Sequence, residues 1–590
     1  MENALALARR SCESGRLPSA SIARADNDLV RGTALAHTPD VIDSATALAR
    51  PAAPSRFLSW LQTGDRALFT ALLVLHVAPL ALFPYLPTRD GPTHLEAAQI
   101  LLRYHEPSEA ALRQWFHLAL PLAPNWLGHA LLAAASLVMP PLVAEKALLA
   151  AFVVGLPLAA RRALTAVRPD AGFLAVLTLP FTYTWLLHMG FYNFCLSLPL
   201  FFLAVASWVR ERAASAAGLL RLMGWLTLLY FAHPVSLLLA AALLLTLAAW
   251  AGVIDVLEAR RLRLALRYAA RQATRRLLRT ALAFVPAAAL LLAWVEGRHH
   301  PAFVRLPPRR LLGELARLDV LVSFEPAEAW PAAGAALCFV TLLLAAPCLR
   351  AREGRSQEGD GWLLGAGVCV ATYLLAPVGF AGGSYVTPRL ALFPFFALLL
   401  WFASIRWPAP ARTAVAVASA AITASSLALH VRSYRNANDL LAEYLTARPW
   451  LEAGTTVLPL HYRHEDTTFP KVDVLAHAAA YLAVSRHTID LVFYEGASHG
   501  IFPVSFRPGV NPYRLLGDNP ESTPPCVDLE AYMRRSGRTI DTVLTWKRQR
   551  DPGTECAAFT EEQLRRRYRR VHVSSPRRLL EVWRLEDASP

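Results

Sequence analysis

The stretch "TRDGPTH" at 88–94 puts a carboxylate, a Gly-Pro pair and an imidazole directly after the first long apolar run of the chain. Asp90 there is a candidate general base or metal ligand, and His94, one helical turn further on, faces the same side. Asp90 also suits a plainer task, capping the helix that Pro92 starts, with Glu96 near its positive end. The two roles are compatible. Four more places put binding groups at the ends of apolar runs: His188 and Asn193 in "LLHMGFYNF", His233 in "YFAHPVS", Arg298 in "WVEGRHHPAF", and Arg389 after "GGSYVTP". A guanidinium at the mouth of a membrane span suits a phosphate, and a snorkelling anchor is the alternative. His188, Asn193 and His233 equally suit satisfying backbone groups where helices meet. Glu145 and Lys146, one turn inside a span, read as an ion pair with each other or with neighbouring groups.

No metal site is assigned from spacing, because His299, His300 and Glu296 lack a zinc pattern. A Gly-rich phosphate loop and a nucleophile elbow are missing too, which argues against soluble nucleotide chemistry. Four of the seven cysteines lie in apolar runs, while Cys526 and Cys556 sit in the polar C-terminal part, either as one disulfide or as two free thiols.

The elements that must position these groups are membrane helices. The chain has 590 residues, 55% of them hydrophobic and 17% charged, with a mean hydropathy of +0.34, which places it in the polytopic membrane class. Its formal charge of +15 comes from arginines in blocks between apolar runs, the pattern of cytoplasmic loops rather than of nucleic-acid binding. Residues 1–62 read as a disordered cytoplasmic leader. Twelve apolar runs are long enough to cross, near 66–86, 122–140, 142–160, 171–188, 191–209, 218–233, 234–254, 280–295, 331–349, 362–378, 389–405 and 411–430. If 122–140 stays on the outer side, within a first external loop spanning 87–141, then "ARRALTAVRPD", "EARRLRLALRYAARQATRRLLRT", "RAREGRSQ" and "RWPAPAR" all face the cytoplasm. The expected fold is therefore an α-helical membrane protein of about 11 transmembrane helices over 63–430, followed by an extracytoplasmic α/β domain over 431–590. Strands are expected in "TTVLPLHY", "TIDLVFYEG", "TIDTVLTW" and "LLEVWRLE", and helices in "KVDVLAHAAAYLAV" and "TEEQLRRRYRR". The external loop 296–330 carries several arginines, and "RLPPRRLLGELARLDVL" within it reads as a mobile cover or as a passive interfacial helix.

This arrangement resembles the GT-C superfamily of integral-membrane glycosyltransferases. The carriers are the acidic residue just after the first span, the membrane-embedded segment before the second, the odd span count and the external tail. More narrowly, "DGPTHLEAAQIL", "PNWLGHALLAA", "PPLVAEKALLAAFVVGLPLAARRAL", "LLHMGFYNFCLSLPLFFLAV" and "YFAHPVSLLLAA" look like a group of bacterial membrane proteins with GT-C-like architecture and no assigned substrate. The resemblance implies a bacterial inner-membrane enzyme that takes a sugar from a polyprenyl-phosphate-linked donor and transfers it, with inversion, to a glycan, lipid or protein acceptor. Asp90 falls at the first-loop acidic position as base or as ligand of a divalent cation, with His94 relaying its proton. Arg389, and less directly Arg298, fall where a cation holds the lipid phosphate. The sequence departs from the oligosaccharyltransferases, because the second external loop "HMGFYNF" has no carboxylate, so no cofactor is fixed and metal dependence is not implied. It also lacks the paired acids of many protein O-mannosyltransferases, so a protein acceptor is not implied either. The rival classes are a transporter or flippase and a non-catalytic glycolipid-binding or envelope-assembly protein.

Overall fold

The computed structural model describes residues 56–118, 122–212, 214–296, 304–353, 358–463, 471–498, 501–548 and 553–586. Residues 1–55 of the leader expected over 1–62, together with Arg298, His299 and His300, lie outside the described residues, whereas residues 56–62 are not disordered but open the helix Arg56–Leu82. Among the described residues, seven helical segments are long and apolar enough to cross a membrane: Asp65–Leu82, Pro141–Val167, Tyr192–Glu211, Pro234–Arg261, Pro326–Arg352, Val386–Ala403 and Ala409–Trp450. The bent pair Leu266–Ala283 and Val285–Val295, with a 45° break, brings the number to eight if it is one span. A polytopic helical membrane protein is what these helices make.

Four expected runs give no single helix of eighteen residues or more. The run at 122–140 becomes the ten-residue helix Leu127–Ser136, which at 1.5 Å per residue reaches only about 15 Å. The run at 171–188 becomes the 3-10 helix Pro169–Phe181 and the short turn Trp185–His188. Pro180 removes a backbone donor near the end of this segment, and ten of its thirteen residues are buried, so it threads the middle of the bundle. The runs at 218–233 and 362–378 give Ala216–Ala232 and Gly361–Leu375.

After the last span the chain builds a mixed five-stranded sheet. Its strands are β2 (Thr456–His461), β3 (Ile489–Asp490), β5 (Thr542–Trp546), β6 (Tyr568–Val573) and β7 (Leu580–Leu585), in the order β3-β2-β5-β7-β6. β2 pairs parallel with β3 and β5, and β7 pairs antiparallel with β5 and β6. The central strands β2 and β5 are buried at every position, as strands covered on both faces must be. "TIDLVFYEG" is a strand only at 489–490 and then turns into the helix Tyr494–Ala497, where Glu495 faces inward. The helical stretch "KVDVLAHAAAYLAV" is regular only from Ala479, and the helix expected over 560–570 runs instead from Glu555 to Arg567, the last three residues of the expected stretch opening β6.

This sheet is not a free appendage. Strand β1 (Phe116–Leu118), in the loop after the first span, pairs antiparallel with β4 (Val504–Phe506), Phe116 opposite Phe506. A single apolar cluster runs from Ala97, Ile100, Trp115 and Phe116 to Leu458, Phe493, Phe506 and Trp583. The first loop and the C-terminal segment therefore share one core.

Cys526 and Cys556 are joined, with their Cα atoms 5.0 Å apart and a sequence separation of 30. Closing a loop of that length stabilises a fold by roughly 3–4 kcal/mol in the chain-entropy account. Replacing both cysteines with serine is expected to lower the thermal midpoint of the detergent-purified protein; an unchanged midpoint would show that the bridge contributes nothing.

Candidate functional site

The helix Gly91–Arg103 begins directly behind Asp90, with Pro92 in its first turn. Its N-terminus is held from outside the helix. The backbone N–H of Arg89 donates to the carbonyl of His188 at 2.8 Å, and that of Asp90 to the carbonyl of Met189 at 3.2 Å. Such an approach needs a residue without a side chain opposite, and Gly190 supplies it. A Cβ on Gly190 would stand 2.5 Å from the Gly91 nitrogen and 2.7 Å from the Asp90 nitrogen, and its φ of +83° disfavours any other residue.

With the backbone clamped this way, the Asp90 side chain makes no capping bond. It turns instead toward His477 Nε2, 3.5 Å away, and Arg89 Nε, 3.6 Å away. Arg89 in turn lies 3.7 Å from Glu521. Burial raises the pKa of the Asp90 carboxyl, and His477, Arg89 and His94 only partly offset this.

Asp90 lines a cavity of about 290 Å³ together with Arg89, His94, Asn193, His233 and Arg389. Arg389 donates from Nη1 to the carbonyls of Ser384 and Tyr385, and its guanidinium lies 4.1 Å from the ring centre of Phe191. The stacking fixes its plane while leaving it at the cavity wall. Asn193 accepts from the Gly128 backbone N–H at 2.6 Å, and His233 accepts from that of Val235 at 3.2 Å, so both also hold helix starts in place. His188 is elsewhere. Its two ring nitrogens lie 2.7 Å from Ser323 Oγ and 2.7 Å from Tyr434 Oη in a buried network, so only its backbone carbonyl serves the Asp90 stretch. Glu145 and Lys146 do not pair with each other: Glu145 accepts from Tyr192 Oη at 2.7 Å, and Lys146 donates to the Phe83 carbonyl at 2.7 Å.

A second cavity, of about 900 Å³, adjoins the first and shares Gly382, Gly383, Ser384 and Tyr385 with it. Its walls are largely apolar, including Leu306, Leu315, Leu318, Val320 and Phe395, with Arg310, Glu314 and Lys471 among the polar lining residues. Arg310 and Glu314 come from the helix Pro308–Arg317, so the segment between a cover and a passive interfacial helix in the sequence forms part of this wall.

His94 does not bond to Asp90 through its ring. It meets two groups that no sequence motif marks, His129 and Glu495. His94 Nδ1 lies 3.1 Å from His129 Nε2 and 2.6 Å from Glu495 Oε1, and His129 Nε2 lies 2.8 Å from Glu495 Oε2. Burial opposes ionisation of Glu495, but His94 and His129 overcome it and hold its carboxyl well below the usual range. Nearby, burial pushes the Asp490 carboxyl up to about 7 and raises that of Glu96 as well.

Gly190→Ala is expected to destabilise the protein by at least about 1–3 kcal/mol, the usual size of local backbone strain. It should also displace Asp90, which limited proteolysis and thermal unfolding of the purified variant would detect; wild-type behaviour in both would contradict the clamp. No family model matches the chain, and neither the curated proteins nor the solved structures contain a match to it.

Proposed function

We propose that the chain is an inverting membrane glycosyltransferase that moves a sugar from a polyprenyl-phosphate-type lipid to an extracytoplasmic acceptor. The observation that carries this reading is that Asp90 and Arg389 line one cavity with several charged and polar groups, which adjoins a larger, more apolar one across residues 382–385. An amphipathic donor needs that pairing of compartments: lipid chain in the more apolar space, phosphate and sugar among the charged and polar groups.

The chemistry follows from the two charged groups. The Asp90 carboxylate takes the proton from an acceptor hydroxyl as its oxygen forms a bond to the anomeric carbon. The bond from that carbon to the phosphate oxygen breaks, and the departing charge rests on the phosphate beside Arg389. Arg89 keeps Asp90 in place and adds a second positive charge to the same wall.

On this reading the membrane is crossed eleven times. The crossings are the eight above together with Pro169–Phe181, Ala216–Ala232 and Gly361–Leu375. At helical rises of 2.0 and 1.5 Å per residue these three reach roughly 22–26 Å. The basic segments then face the cytoplasm of a bacterial inner membrane, and residues 431–590 face outward.

The test compares envelope glycans and glycolipids, by mass spectrometry, in cells with the wild-type protein, a deletion, or Asp90→Asn at matched expression. One glycan species should disappear in the deletion and fall about 10²–10⁴-fold in rate of formation with Asp90→Asn, the usual contribution of a general base. A deletion phenotype that Asp90→Asn rescues fully would remove Asp90 from the mechanism. The pH profile gives a separate check. A base must be deprotonated, and burial raises the Asp90 pKa against the pull of His477, Arg89 and His94 and with the push of Glu521. The acid limb of the rate should therefore fall above the ordinary aspartate value of about 4, and it should be missing from the residual rate of Asp90→Asn.

A further inference from the structure

We infer that His94, His129 and Glu495 form a binding site for a divalent transition-metal ion, zinc by its chemistry, that fastens the C-terminal segment to the membrane part. The inference is independent of glycosyl transfer. The ligand atoms all lie within 4.8 Å of one another, and the three residues come from the helix Gly91–Arg103, the helix Leu127–Ser136 and the turn Tyr494–Ala497.

The hydrogen bonds around the two rings carry the argument. His94 Nε2 lies 2.8 Å from the Gly190 carbonyl, and His129 Nδ1 lies 2.9 Å from the Asn125 carbonyl. A carbonyl only accepts, so each of these nitrogens carries a proton. Asn193 Nδ2 stands 3.4 Å from His129 Nδ1, too far to outweigh the shorter carbonyl contact. In neutral rings the other nitrogens, His94 Nδ1 and His129 Nε2, are then lone pairs. Both point at each other and at Glu495: with both rings neutral three electron-rich atoms face one another, and a proton on His94 alone, paired with Glu495 Oε1 at 2.6 Å, still leaves the His129 Nε2 lone pair 2.8 Å from Oε2. Protonating both rings would put two imidazolium N–H groups 3.1 Å apart at a site where His129 and Glu495 are 0% exposed. A cation bound by all three atoms removes the conflict. Metal-ligating histidines bind in this way, with the far ring nitrogen donated to a carbonyl that fixes the tautomer.

The donor set selects the metal. Two imidazoles and one carboxylate suit zinc, with bonds of about 2.0–2.1 Å. A tetrahedral ion of that size separates its ligands by roughly 3.3 Å, slightly wider than the 2.6, 2.8 and 3.1 Å observed. The ring of Phe502 lies about 6 Å from both imidazoles and also lines the 290 Å³ cavity, so the ligands stand beside an aromatic side chain. Because His94 sits one turn beyond Asp90, the ion would fix the position of Asp90 against the C-terminal segment.

The experiment uses full-length, tag-free protein in detergent, stripped with a chelator and reloaded with zinc alone. Elemental analysis after dialysis should give one zinc per chain in the wild type and in the surface control His105→Ala. His129→Ala and Glu495→Gln should hold at most a tenth of that. If the variants fail to fold, zinc-edge X-ray absorption of the wild type decides, because it counts two imidazole ligands and no sulfur. Sub-stoichiometric zinc in the wild type, an imidazole count other than two, or full retention in folded His129→Ala would overturn the site.

Discussion

A buried carboxylate wedged between two imidazoles is the constraint on which the rest of the molecule depends. Glu495 is fully enclosed, and leaving such a charge unpaired costs several kcal/mol. His94 and His129 must therefore stay beside it, and they belong to two of the helical pieces between the first membrane span and the second, Gly91–Arg103 and Leu127–Ser136. The pairing of β1 with β4 and the shared apolar cluster act in the same direction. The first loop and the C-terminal segment, some 400 residues apart in sequence, are thus joined by one core, one strand pair and one buried charge cluster.

That junction places Asp90. Its helix is fixed on one side by His94 and on the other by the close approach of Gly190, so the carboxylate cannot fall back onto the helix start and cap it. It is left facing the smaller cavity with Arg389 on the same lining. The larger, more apolar cavity beyond residues 382–385 gives the smaller one its meaning: an anionic head and a hydrocarbon tail could be held together only where two such spaces meet.

Much of this was legible in the residues. The apolar runs became helices, because no other element satisfies its own backbone in lipid, and the four C-terminal strand segments each contain a strand, though "TIDLVFYEG" keeps only two residues of it. Asp90, His94, Asn193, His233 and Arg389 do line one cavity. Sequence periodicity could not show that the run at 171–188 folds as the 3-10 helix Pro169–Phe181 and a separate short turn, since a largely buried apolar stretch carries no alternation to read. It could not separate His188 from its neighbours either, because its two ring partners lie 135 and 246 residues away. His129 and Glu495 were invisible for the same reason. Glu495 joins His129 across 366 residues, and no local spacing announces a site built from three distant segments.

The central claim is that the joined cavities hold a lipid by its phosphate. Native mass spectrometry of the detergent-purified protein tests it most directly, comparing the wild type with Arg389→Gln after incubation with a short-chain polyprenyl phosphate. The expected result is one bound polyprenyl phosphate per wild-type chain and an at least tenfold weaker complex for Arg389→Gln, with ordinary phospholipid failing to displace it. Equal binding by both proteins, or full displacement by phospholipid, would contradict the account.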